Sequence, residues 1–138
     1  MTTTTEAIVS ATKVQDGARL MALPNHFGKY GVRVESAVFS TLNGLCADYN
    51  GGYWEYYGLS NGGFYMAPVS NRPFQLQCAG NDFNGAVSAD AAGIIAFLFA
   101  YSHLSFQLKN DKIVDAFHHL RDFAYTHKER RLIFAAID

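Results

Sequence analysis

The chain has 138 residues, a length that is most simply one domain. Hydrophobic residues make up 49% of it and charged residues 17%, a balance that excludes a globally disordered chain. The net charge is -1, from 11 basic and 12 acidic residues. A strong nucleic-acid binder shows a basic excess, whereas a protein that imitates DNA needs a large acidic one. The composition favours neither class.

The N-terminal residues predict little regular structure. Residues 1–17 are rich in threonine and predict a flexible tail, or at most one edge strand, before a single domain over residues 18–138. They lack the basic and apolar regions of a signal peptide. The strongest apolar run, AAGIIAFLFAY, falls short of the roughly 18 residues that span a bilayer. Cys46 and Cys78 fit buried small residues in a reducing compartment. We therefore expect a soluble cytoplasmic protein without a membrane partner.

One helix is predicted before the aromatic middle of the chain. Residues 18–31 contain a proline and two glycines and predict an irregular segment. From Val34 to Tyr49 the apolar positions recur at helical spacing. Gly51 and Gly52 follow, and glycine suits the left-handed residue at which many helices end.

A short internal echo marks the middle of the chain. Asn50-Gly51-Gly52-Tyr53 recurs 11 residues later as Asn61-Gly62-Gly63-Phe64, and each copy opens an aromatic run. An Asn-Gly pair between two such runs predicts a hairpin, because both central positions of a type I′ turn need a positive φ. A third alternating run, Phe74 to Ala79, predicts another strand. The three runs predict a three-stranded antiparallel meander.

Three helices are predicted after the meander. The segment GNDFNGAV reads as a loop, and Ser88 is a candidate cap for the helix that follows. That helix, over 88–107, is apolar nearly all round and should occupy the centre of the fold. Asn110 or Asp111 caps the next helix, and a short one covers about 128–137. The predicted fold class is α+β, with an N-terminal helix, a three-stranded meander and three C-terminal helices.

The sequence shows no complete catalytic layout. The five histidines lack the i,i+4 spacing of a helical metal pair, and no G-x-S-x-G elbow or phosphate-binding Gly-Lys-Ser/Thr loop is present. A thiol of Cys46 or Cys78 beside His103 is conceivable, but spacing alone does not bring them together. We expect no cofactor, no metal and no enzymatic activity, with a small enzyme or a nucleic-acid-binding protein as the alternative.

The candidate interaction surface lies on the meander. Glu55 and Tyr57 share one strand face, and an antiparallel sheet with helices on one side leaves such a face open to a partner. Asn61 lies in the turn, where turn geometry is the competing explanation for it. Asp138 is the second choice, because a terminal aspartate brings two carboxylates together at the chain end. The sequence does not determine the oligomeric state.

The same segments resemble a known family. YNGGYWEYYGLSNGGFYMAP and GNDFNGAVSADAAGIIAFLFAYSHL resemble the antirestriction protein family of the ArdB/KlcA type, and the resemblance runs from about Arg19 to Asp138. The resemblance implies a compact α+β domain. It also implies a protein encoded on plasmids or other mobile elements. It implies relief of type I restriction–modification of incoming DNA without DNA mimicry. The expected partner is the type I complex or a host factor controlling it, without strong DNA binding.

Overall fold

The computed structural model describes residues 8–138, in which one strand and two helices precede four strands and three further helices. The strands are β1 (Ala11–Lys13), β2 (Trp54–Leu59), β3 (Phe64–Pro68), β4 (Phe74–Cys78) and β5 (Phe83–Val87). The helices are α1 (Arg19–Phe27), α2 (Gly31–Leu45), α3 (Ala89–Leu108), α4 (Asp111–Ala124) and α5 (Arg130–Ile137). This arrangement confirms the α+β fold class.

Helix α3 is the centre of the fold, as its apolar surface predicted. The Ser88 side chain caps its first turn by accepting a hydrogen bond from the Ala91 N–H at 3.1 Å. Ile95 and Phe97 are fully buried. Gly93 lets the helix cross β3 closely, because a Cβ there would lie 2.4 Å from the Met66 carbonyl oxygen. Helices α2, α4 and α5 cover other sides of α3.

Helix α3 is longer than the apolar run AAGIIAFLFAY, which by itself is too short to span a membrane. By length and composition it could cross a bilayer, but most of its apolar window is buried within the protein. A single helix with these properties is weak evidence for a membrane segment, because the core helix of a globular domain shares them.

A three-stranded antiparallel sheet is present, but its third strand differs from the predicted one. The strand order is β1-β2-β3, with Lys13 opposite Tyr57 and Glu55 opposite Ala67. The β2–β3 hairpin is confirmed. The predicted meander containing Phe74 to Ala79 is wrong, because β4 does not pair with β3 and the third strand of this sheet is β1, on the other edge of β2. Residues 11–13 are thus the edge strand allowed for the N-terminal segment, while residues 1–7 of the predicted tail lie outside the described part.

Strand β4 pairs with β5 in a separate two-stranded sheet. The register places Leu76 opposite Gly85 and Cys78 opposite Phe83. The interpretation of GNDFNGAV as a loop is therefore wrong for its last five residues, which form β5. Asp82 adopts a left-handed conformation with φ of 54°, which reverses the chain between the two strands.

The N-terminal helices also correct two expectations. The segment predicted to be irregular contains α1, although Pro24 lies inside that helix. Leu23 and Phe27 pack into the core, and this burial outweighs the roughly 3 kcal/mol that an internal proline costs. Helix α2 ends at Leu45 instead of Tyr49, and Cys46 is already extended. The Tyr49 ring lies edge-on to Trp54 at 6.1 Å, and its hydroxyl accepts the indole N–H.

Candidate functional site

Glu55 is held by two cations, Lys13 of β1 and Arg19 of α1. Its Oε2 lies 3.3 Å from Arg19 Nη1 and its Oε1 lies 3.9 Å from Lys13 Nζ. The Glu55 side chain is 20% exposed. Arg19 also donates from Nη2 to the Trp54 carbonyl oxygen at 2.8 Å. The carboxylate predicted to meet a partner thus already fastens α1 to β2.

The same arginine is enclosed by aromatic rings. The Arg19 guanidinium carbon lies 4.6 Å from the ring centre of Tyr53 and 4.4 Å from that of Tyr56. Such cation–π contacts stabilise a charge that has few water contacts. Tyr56 is half-buried, and burial, followed by the negative charge of Glu35, raises the pKa of its hydroxyl. Tyr53 keeps 55% of its surface exposed, so this cluster presents one aromatic ring to solvent.

Tyr57 lies on a sheet face that is partly covered. Its ring stacks on Tyr65 at 5.0 Å, and Tyr65 in turn stacks on Phe123 of α4 at 5.7 Å. Tyr57 is half-buried, and burial, followed by the charges of Asp90 and Glu55, raises the pKa of its hydroxyl. The face expected to be open is therefore partly filled by α4, which the helical pattern of the sequence could not place.

Asp90 joins three elements through hydrogen bonds. The Tyr65 hydroxyl donates to Asp90 Oδ1 at 2.7 Å, and His127 Nε2 lies 2.8 Å from Oδ2. His127 Nδ1 accepts the Glu129 backbone N–H at 3.0 Å, which assigns the remaining ring proton to Nε2. Burial raises the pKa of the Asp90 carboxyl, but the hydrogen bonds from His127 and Tyr65 outweigh it and hold this pKa below its ordinary value.

Glu129 continues this network to the start of α3. Its Oε1 accepts the Ser88 backbone N–H at 2.9 Å, and its Oε2 accepts the Ser88 hydroxyl. Because Ser88 also caps α3, the turn between α4 and α5 is fastened to the central helix. The polar groups of this network bond to one another, which is the pattern of a structural network. Sequence spacing gave no sign of it, because the partners lie far apart in the chain.

Asn61 has two intramolecular partners. Its Nδ2 donates to the His119 carbonyl oxygen at 3.0 Å, and its Oδ1 accepts the Gly63 N–H at 3.0 Å. It fixes the β2–β3 turn and ties that turn to α4. Asp138 is exposed at the end of α5, a helix that packs on α3 and β5. Glu55 and Tyr57 therefore share a strand face, whereas Asp138 follows an element that packs elsewhere.

A surface cleft is the feature that sequence reasoning missed. It has a volume of about 440 Å³ and lies between residues 46–53 and residues 68–75. We call it the Tyr53 cleft. Aromatic composition and two prolines were visible in the sequence, but nothing showed that these segments face each other. Its main aromatic, proline and charged lining residues are Asp48, Tyr49, Tyr53, Pro68, Arg72 and Phe74.

The described residues offer no obvious site for a metal ion. Across residues 8–138, no three His, Cys, Asp or Glu side chains are grouped as metal ligands. Cys46 and Cys78 are buried free thiols, and burial raises the pKa of Cys78. The arrangement thus supplies aromatic and charged contact surfaces more clearly than a reacting centre.

Comparison with known proteins identifies the family. Residues 47–138 match the model of a family described as antirestriction protein. The chain belongs to the antirestriction protein family. Two antirestriction proteins KlcA of Escherichia coli are each 44% identical to it, and these alignments cover 94% of this chain and 94% and 95% of the relatives. The uncharacterized protein YfjX of Escherichia coli K12 is 36% identical, over 94% of this chain and 88% of its own.

A solved structure from a study of KlcA and ArdB agrees over the full length. It superposes with a TM-score of 0.91 at 43% identity and covers 99% of this chain and 100% of its own. That study describes a novel fold for those proteins and antirestriction activity against type I DNA restriction systems in vivo but not in vitro. The resemblance to the ArdB/KlcA type of antirestriction protein is therefore confirmed.

Proposed function

We propose that this protein relieves type I restriction of incoming DNA inside cells, and that it does so by contacting a protein. The observation that carries the proposal is the full-length match, at a TM-score of 0.91, to proteins with such activity in vivo but not in vitro. Activity that needs the cell is expected when a purified reaction lacks a required component. The partner is accordingly the type I complex in its cellular state or a host factor that controls it.

The charge distribution supports contact with protein over DNA mimicry. Duplex DNA carries one negative charge per roughly 1.7 Å of its axis, and a mimic must approach that density. This chain has a net charge of only -1. Between Val34 and Leu108 one base stands against five acids, while the ends are mildly basic. Neither region carries enough charge of one sign to replace a duplex or to bind one tightly.

The functional test is plating of unmodified phage. Expression of the protein should raise plating efficiency on a host with an active type I system and change nothing on an otherwise identical host that lacks it. Equal plating with and without the protein on the restricting host would remove the proposal. Adding a cell extract to a purified type I cleavage reaction then asks whether the extract makes the protein inhibitory, as a required host component would.

The predicted surface residues are tested in the same assay. Glu55→Ala, Tyr57→Ala and a chain ending at Ile137 should lower plating efficiency while the protein still folds, as monitored by its melting temperature. Asp122→Ala, on the exposed face of α4, is the control and should protect fully. Full protection by all three folded variants would direct the search to another surface.

DNA binding is tested separately. Fluorescence anisotropy with a labelled duplex at physiological salt should show no binding below the micromolar range. Tight binding that weakens steeply with added salt would instead indicate phosphate contacts and favour a nucleic-acid-binding protein.

A further inference from the structure

The Tyr53 cleft has aromatic and proline side chains among polar ones on its walls, and these walls are formed before any partner arrives. Pro68 and Pro73 fix the backbone φ angles on one side. On the other side, the Trp54 indole N–H donates to the Tyr49 hydroxyl at 3.0 Å and holds that ring in place. At the rim, the Val69 N–H donates to the Tyr53 carbonyl oxygen at 2.8 Å. Binding in this cleft would cost little ordering of the protein.

Two exposed apolar side chains lie at the rim of the cleft. Tyr53 is 55% exposed and Val69 is 57% exposed. Tyr53 also borders a shallow depression that contains Leu20, so the exposed apolar surface continues beyond the cleft. A small molecule confined to the cleft would leave this neighbouring apolar surface uncovered, whereas a chain segment can follow it. A chain segment that continues past the cleft fits the surface better.

The charges on the two walls indicate the chemistry of that segment. Asp48 stands on one wall and Arg72 on the other, and both are exposed. Among residues 8–138 neither lies within 4 Å of an opposite charge. Arg72 is the single base between Val34 and Leu108. An arginine of this kind is well suited to pair with a carboxylate of the partner.

We propose that the Tyr53 cleft receives an extended, proline- or apolar-rich segment of the partner protein, with a carboxylate of that segment paired to Arg72. Grooves lined by aromatic rings bind extended proline-rich segments because such segments lose little conformational freedom on binding. This inference rests on the proposed action through a protein partner, and it names the surface and the kind of segment involved.

Two matched pairs of variants test the cleft. Val69→Asp and Arg72→Glu place an unfavourable charge at the rim and on the wall. Val32→Asp and Lys112→Glu make the same changes at exposed positions outside the cleft, in the first turns of α2 and α4, where an acid is favourable. All four should melt within a few degrees of the parent protein.

The binding experiment uses phage-displayed random 12-residue peptides as the probe. Selection on the parent protein should enrich peptides with proline or apolar residues and an acid. These should bind about tenfold more weakly to Val69→Asp and Arg72→Glu, the loss expected when a favourable contact is replaced by an unfavourable charge, and as tightly to both control variants as to the parent protein. Changing the peptide's acid to lysine should restore binding to Arg72→Glu. Titration calorimetry of each variant with the synthetic peptides measures these affinities.

Other outcomes overturn the inference. Enrichment of no peptide that depends on Val69 and Arg72 would show that the cleft does not bind such segments. A dimer that Val69→Asp dissociates in sedimentation would make a second copy of this chain the occupant. In the plating assay, protection by the parent protein and undiminished protection by both cleft variants would refute the cleft while leaving the proposed function intact. If the parent protein does not protect phage DNA from restriction, the proposed function is wrong. The peptide-binding experiment would still show whether the cleft binds such segments.

Discussion

The two copies of the Asn-Gly-Gly-aromatic motif have nearly the same sequence but different surroundings. In the first copy, a Cβ added at Gly51 or Gly52 would meet nothing within 4 Å, and Tyr53 is exposed. In the second, a Cβ at Gly63 would lie 2.7 Å from His119 Cβ, and Phe64 is fully buried. The first copy borders the Tyr53 cleft, whereas the second packs its aromatic ring into the core.

The difference is made by α4, which covers one copy and not the other. Asn61 donates to the His119 carbonyl oxygen of α4, and Gly63 allows the turn to approach that helix. In the first copy, a Cβ at either glycine of the loop after α2 would point into open space. The repeated motif thus has neither the same backbone nor the same role in its two copies. Gly52 has a φ of 123°, whereas its counterpart Gly63 has no positive φ, and the role depends on what packs against each copy.

The largest expected contrast is between the two aromatic residues. Phe64→Ala should lower the free energy of unfolding by about 3–5 kcal/mol, because it opens a cavity beside Phe97 and Tyr101. Tyr53→Ala should cost about 1 kcal/mol or less, since it loses mainly its cation–π contact with Arg19. Urea unfolding of both variants measures the contrast, and equal losses would contradict it.

The glycine of the buried turn gives the next contrast. Gly63→Ala should destabilise by about 1–3 kcal/mol, because the new methyl group forces the turn away from His119 and Leu59. Gly80→Ala is the control, since a Cβ there meets nothing within 4 Å, and it should stay within about 0.5 kcal/mol of the parent. Thermal melts compare the two. A neutral Gly63→Ala would mean that α4 yields easily at this contact.

The two asparagines give a smaller contrast. Asn61→Ala removes both hydrogen bonds of the side chain and should cost about 1–2 kcal/mol. Asn50→Ala, at an exposed position of the first copy, should change stability by less than about 0.5 kcal/mol. Comparable losses from denaturant titrations would show that the open loop is more tightly held than its surroundings indicate.

The smallest expected effect is on the pH dependence of stability. It involves Tyr65, the residue after Phe64. Tyr65 and His127 hold the pKa of Asp90 below its unfolded value, so the ionised carboxylate stabilises the fold above that unfolded value. This contribution is lost as pH falls through the lower, folded pKa. Asp90→Asn should therefore weaken the protein at pH 7, by about 1 kcal/mol or less for a partly exposed pair.

The check is urea unfolding of the parent and Asp90→Asn at pH 7 and again near pH 3. The difference in the free energy of unfolding between the two proteins should be smaller at the lower pH. Asp122→Asn, on the exposed face of α4, should show no such gap at either pH. A gap that widens on acidification would mean that another group controls the effect.

Local patterns predicted elements better than their partners. The apolar circumference of α3 and its Ser88 cap predicted both the helix and its central position, and the Asn-Gly turn predicted the β2–β3 hairpin. Alternation identified β4 but could not tell which strand it joins. Strand β5 was missed because Asn84 and Gly85 are poor strand formers, and its pairing with β4 outweighs that preference.

The candidate site shows the same difference between local patterns, which the sequence reveals, and long-range contacts, which it does not. Periodicity correctly put Glu55 and Tyr57 on one strand face, but Glu55 meets Arg19 across 36 positions of chain. His127 meets Asp90 across 37 positions. Contacts of this range depend on how helices pack, which one sequence does not encode in any local pattern. The Tyr53 cleft belongs to the same class, because its two walls come from separate segments.

The position of α3 in the chain has a consequence for protein synthesis. Two of the helices that cover this apolar helix, α4 and α5, are translated after it, and Glu129, which binds Ser88 at its start, comes later still than α4. A growing chain therefore carries an incompletely covered apolar helix until its last segments leave the ribosome. Chains that stop before α5 should aggregate, and translation that pauses near the end of the message should make the protein dependent on chaperones that shield nascent chains.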